Sequence, residues 1–109
     1  MNDITKDVWI GLANVVPCEG NGELGNAKGA YVKVFALASS PSEFKEKIAA
    51  AFLTMDFELK DVEEIETFTS FDHKYSASQD FHELAEQAQS DNNVVFDTFH
   101  VYEHDETVN

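Results

Sequence analysis

Residues 30–38 read Ala30-Tyr31-Val32-Lys33-Val34-Phe35-Ala36-Leu37-Ala38, and the fold turns on how this run is placed. In an extended chain Val32, Val34, Ala36 and Ala38 share one face, while Tyr31, Lys33, Phe35 and Leu37 share the other. Apolar residues dominate both faces, which predicts a central strand. Upstream, Val8 to Val16 (V-W-I-G-L-A-N-V-V) is apolar and β-branched and ends at Pro17, a second strand. A loop of about a dozen residues joins the two, and the simplest arrangement of such neighbours is antiparallel.

Downstream, Ser40-Pro41-Ser42-Glu43 is a helix start, with Ser40 as N-cap, Pro41 at the first helical position and Glu43 closing a capping box. Phe44, Ile48, Phe52 and Met55 then recur at helical spacing, so the helix runs to about Met55. Phe57-Glu58-Leu59 alternates, and Val62, Ile65 and Phe68 carry an apolar thread to about Phe71. The phase slips between Leu59 and Val62, which predicts a strand with a bulge or break there. Ser76 or Ser78 caps a second helix whose stripe is Phe81, Leu84, Ala85 and Ala88, and Asp91-Asn92-Asn93 ends it. Val94 to Tyr102 is the last strand, followed by a polar tail from His104 to Asn109.

The order β-β-α-β-α-β within one domain, residues 1–109, predicts an α+β fold. Strand-helix-strand units normally make parallel neighbours, so the expectation is a two-layer sandwich: a mixed four-stranded sheet with two helices on one face.

Between the first two strands, Gly20-Asn21-Gly22-Glu23-Leu24-Gly25 spells G-x-G-x-x-G. A dinucleotide site needs those glycines between a strand and a helix, whose N-terminus holds the phosphates. Here the loop, residues 17–29, leads into another strand. Gly25 is followed by Asn26, not the lysine of a P-loop. Glu19, Asn21 and Glu23 do not fall at the spacing of a calcium loop. The glycines therefore read as turn residues of a long connection, and no cofactor is expected.

Charge separates the halves of the chain. Its 109 residues carry seven lysines, no arginine and 21 acids, a net charge of −14. Residues 1–55 hold five lysines against six acids, a net of −1; residues 56–109 hold two lysines against fifteen acids, −13. Bidentate capture of phosphate is arginine chemistry. Nucleic acid and anionic membranes would be repelled by the whole molecule, so neither is an expected partner. Met1 to Lys6 lacks a basic-then-apolar leader and the apolar runs are too short to span a bilayer. With a single cysteine, this reads as a cytoplasmic protein.

Metal or catalytic chemistry has little to stand on. His100 and His104 lie about 13 Å apart along a strand, too far for one metal, and His73 and His82 complete no ligand spacing. Cys18 has Glu19 and Glu23 as neighbours, which disfavour a thiolate. The clustered carboxylates read as a solvated face; Tyr31, Tyr75, Tyr102 and His100 could line a small pocket, but aromatics at strand parity more often serve as core or interface.

Two functions fit this pattern, beside the plain alternative that the acidity only keeps the chain in solution. The first is a non-catalytic acidic binding module that docks a basic protein partner, as immunity, inhibitor or regulator proteins do, through Asp61, Glu63, Glu64, Glu66, Asp72, Asp80, Glu83 and Glu86. The second is a small-molecule-binding or enzymatic homodimer. Its pocket or dimer face would lie on the uncovered side of the sheet, at Phe35, Leu37, Phe96, His100 and Tyr102.

Overall fold

Residues 30–38 do lie inside the sheet. The computed structural model describes residues 6–18 and 28–102. Their elements are β1 (Asp7–Pro17), β2 (Gly29–Ala38), α1 (Pro41–Thr54), β3 (Phe57–Thr67), α2 (Phe68–Tyr75), α3 (Gln79–Asp91), β4 (Val95–Phe96) and β5 (His100–Tyr102). The sheet order is β3-β1-β2-β4, with β5 also pairing with β2. The α+β class holds.

The sheet is antiparallel throughout its described pairs rather than mixed. After α1 the chain returns in the direction of β2, but β3 lands beyond β1 instead of beside β2. With β1 between them, the two co-directional strands never touch. β1 and β2 form the expected antiparallel pair, from Asp7 opposite Ala38 to Val15 opposite Ala30.

The helices differ from expectation as well. Fully buried Phe44, Ile48 and Phe52 of α1 pack on the face carrying Ala30, Val32, Val34, Ala36 and Ala38. α3, with α2, covers the opposite face, where Phe35 is sealed by Ala85, Ala88, Val95, Phe68 and Phe81. Helices thus lie on both sides of the sheet, which accounts for the two apolar faces of β2. Each fully buried Val, Ile or Phe side chain among these, such as Val32, Ile48 and Phe52, contributes about 1.5–3 kcal/mol of transfer free energy.

Local chemistry explains the element ends. Ser40 Oγ accepts from the Glu43 amide at 3.1 Å, while Glu43 reaches back to the Ser39 amide and hydroxyl at 2.6 and 2.7 Å. Ser78 caps α3 by accepting from the Phe81 amide, and Asn92 ends it at φ 54°, in the left-handed region. The expected slip in β3 is a register shift between Leu59 and Asp61, which leaves Lys60 as the extra residue. A second shift follows at Glu64, whose φ of 56° returns Ile65 to the α1 side.

Two assignments change. Phe68 to Phe71 begins α2 and does not continue the strand: Thr67 is its N-cap, and Phe68, Phe71 and Tyr75 recur at helical spacing. The last strand divides into β4 and β5. Pairing runs from Phe35–Val95 and Val34–Phe96 to Tyr31–His100, one residue out of step. In between, Phe99 turns into the α1 side, 6.4 Å from Phe52 and 5.9 Å from Phe57 between ring centroids.

Candidate functional site

α2 and α3 seal only one end of their sheet face, over Val8, Ile10 and Phe35. The rows beyond are not sealed. Strand pairing sets Glu63, Leu12 and Lys33 side by side in one row, and Asp61, Asn14, Tyr31 and His100 in the next. Asp61, Glu63 and His100 are exposed, whereas Leu12, Asn14, Tyr31 and Lys33 are half-buried.

The aromatic end of this face is held by hydrogen bonding and close packing. Tyr102 Oη donates to Asn14 Oδ1 at 2.8 Å, and the Tyr102 and Tyr31 rings lie 5.4 Å apart, tilted by 41°. Tyr102 stands over Gly29, where a Cβ would come within 2.7 Å of both the Tyr102 Cζ and the Val15 carbonyl oxygen, so only glycine leaves the ring room. His100 joins this pair, opposite Tyr31. Tyr75 does not; it packs on Phe71 within α2, 5.0 Å between centroids.

The eight candidate acids fall into three groups. Asp61, Glu63 and Glu64 lie on β3, the outer strand of the sheet, which carries five carboxylates against one lysine. Glu64 meets Lys33 at 3.5 Å, while Asp61, Glu63 and the neighbouring Glu58 have no ion-pair or side-chain hydrogen-bond partner among the described residues. Glu66 is engaged by Lys74 at 2.8 Å and by the Ser70 hydroxyl at 3.1 Å. The Lys74 bond, above all, holds the Glu66 carboxyl below its ordinary range, and Glu66 raises Lys74 in turn.

Asp72 of α2 accepts from the Ala77 amide at 2.9 Å and faces His82 Nε2 of α3 at 3.2 Å, tying the two helices together. Asp80, Glu83 and Glu86 are exposed on α3, which packs against β2, β4 and β1 and so lies across β1 from the β3 acids. The acids of the second half do not all converge; those of β3 form the set that borders the open face.

The second candidate group is likewise divided. Phe35 is buried beneath α2 and α3, and Phe96 packs on the other side of the sheet, 4.9 Å from Phe52 between centroids. Leu37 is half-buried in β2, and only His100 and Tyr102 border the open face. The glycine motif at 20–25, Glu19, Glu23 and His104 lie outside the described residues. Among those described, no three His, Cys, Asp or Glu side chains are placed to share a metal ion, and no helix is long and apolar enough to cross a membrane.

Sequence reasoning passed over Glu58, Leu12 and Asn14, which share this face. A single amide within the apolar run of β1 was the available signal for Asn14; the neighbours of Glu58 depend on which strand β3 meets. No family model matches the chain, and no curated protein or solved structure is significantly similar to it. Solvated carboxylates beside a half-buried apolar and aromatic strip suit an ammonium or guanidinium group on a side chain whose stem lies against the strip.

Proposed function

We propose that this chain is a non-catalytic binding module that docks a basic protein partner in the cytoplasm, as an immunity, inhibitor or regulator protein does. The observation that carries the reading is the set Glu58, Asp61 and Glu63: carboxylates without partners among the described residues, bordering a sheet face that helices leave open. A net charge of −14 would draw a lysine- or arginine-rich surface from a distance and speed its encounter. Tyr31, Tyr102 and Leu12 then offer apolar area for short-range contact. Aromatic rings packed beside such charges commonly dominate interface energies.

A second copy of the chain is the poorer occupant of this face. A two-fold interface sets one patch against itself, and arrangements about an axis near β3 would bring the β3 carboxylates of both copies together. Like charges facing each other across an interface cost several kcal/mol. The test is affinity capture from an extract of the source cells at low ionic strength. The reading expects a retained protein with a basic surface that is released as salt rises.

A further inference from the structure

β4 is two residues long, so no described strand pairs with β2 beyond Phe35 on that side. The space there, between α1 and α3, is a shallow groove of about 740 Å³, widely open to solvent. Ala50, Ala51, Leu84 and Phe96 are among its apolar lining, and Lys47, Thr54, Gln87, Asn92 and Asn93 are its polar lining residues. Along α1 the lining runs from Lys47 to Thr54, about 10 Å of helix.

Lys47 Nζ donates to the Leu37 carbonyl oxygen at 2.9 Å and to Asn92 Oδ1 at 2.8 Å. The ammonium thereby takes the position that a strand amide would have beside Leu37, and it links α1 to the end of α3. It has three N–H donors, so one remains after these two bonds. Both acceptors are uncharged, and Lys47 forms no ion pair among the described residues. Burial, reinforced by Lys6, draws its pKa below that of an ordinary lysine, although Glu43 acts in the other direction. The chain as a whole is strongly acidic; this groove combines a cation without an ion-pair partner among the described residues with an apolar wall that includes Ala50 and Ala51.

We propose that the groove binds a small amphipathic carboxylate, a medium-chain alkanoate whose head meets Lys47 and whose tail lies along Ala50 and Ala51 toward Phe96. A single negative charge suits one ammonium. A multiply charged phosphate ester would meet the repulsion of the whole protein with only one cation to offset it. The tail gains from leaving water along the apolar length of the groove. This inference is independent of the basic-partner reading, since it concerns another part of the surface.

Octanoate titrated into the full ¹⁵N-labelled chain, followed by amide shifts, tests it. Saturable shifts at Ala50, Ala51, Asn92 and Phe96 are expected, with 1-octanol, which has the same tail without the charge, about tenfold weaker or worse. Lys47→Met keeps the stem and removes the charge, and is expected to weaken octanoate by about tenfold. Because Lys47 also bonds Leu37 and Asn92, Ala50→Leu serves as a second variant. It fills the trough from an exposed helix position and should abolish binding in a folded protein. Octanol binding as well as octanoate, unchanged affinity in either folded variant, or the absence of saturable shifts in the groove would overturn the proposal.

Discussion

The Phe81 ring meets Phe35 edge-on, with 5.4 Å between centroids and 79° between planes. This contact fastens α3 to the central strand. Phe68 flanks the same ring at 6.0 Å, so α2 depends on it too. Phe35→Ala would open a cavity at a fully buried site, at an expected cost of about 3–5 kcal/mol. Urea denaturation measures that loss, and Phe35→Leu should lose clearly less. Equal stability of Phe35→Ala and the wild type would contradict the helix placement on this face.

Glu43 supplies a prediction with a definite sign. Its bond to Lys6, together with the Ser39 amide and hydroxyl, holds its pKa at about 2 against an ordinary 4.5. A carboxyl lowered by folding lends stability that is present above its unfolded pKa and lost as pH falls through the folded value. The contribution should therefore disappear between about pH 4.5 and 2. Carboxyl ¹³C shifts read the Glu43 titration directly, and Lys6→Met should move its midpoint upward. A Glu43 midpoint at the ordinary value in the wild type would show that the Lys6–Glu43–Ser39 arrangement is not formed.

Glu64 occupies the left-handed region at φ 56°, where a side chain is strained and glycine is not. Its ion pair with Lys33 is long, at 3.5 Å, and surface pairs of this kind contribute little. Glu64→Gly should raise stability by up to about 1 kcal/mol, read by thermal or urea unfolding. A loss of more than about 1 kcal/mol would mean that the Glu64 side chain matters more than the strain it causes.

Much of the fold was legible because its signals are local. Ser40 caps α1 as expected, Ser78 of the two candidates Ser76 and Ser78 caps α3, Asn92 lies where α3 was expected to end, and the slip after Leu59 is a bulge at Lys60. The rest depended on partners distant in sequence. Phe68 and Phe71 extend an apolar thread that suits either a strand or a helix; the Thr67 cap and contact with Phe35 decide for α2. Phe99 breaks the last strand because its ring fits beside Phe52 and Phe57, a fit no local pattern encodes. The acids were visible as a charge excess, but their grouping was not. Whether Glu63 and Glu83 share a surface depends on β3 lying beyond β1, away from the strands under α3.

The most direct measurement of the central claim compares two immobilised baits, the wild type and the triple variant Glu58→Gln, Asp61→Asn, Glu63→Gln. Both are exposed to the same cell extract at about 50 mM and about 500 mM salt, conditions between which screening of exposed charges changes strongly. The account predicts one basic protein held by the wild type at low salt, released at high salt and absent from the triple variant, with both baits equally folded by circular dichroism. Equal retention on the two baits, or no basic protein on either, would contradict it.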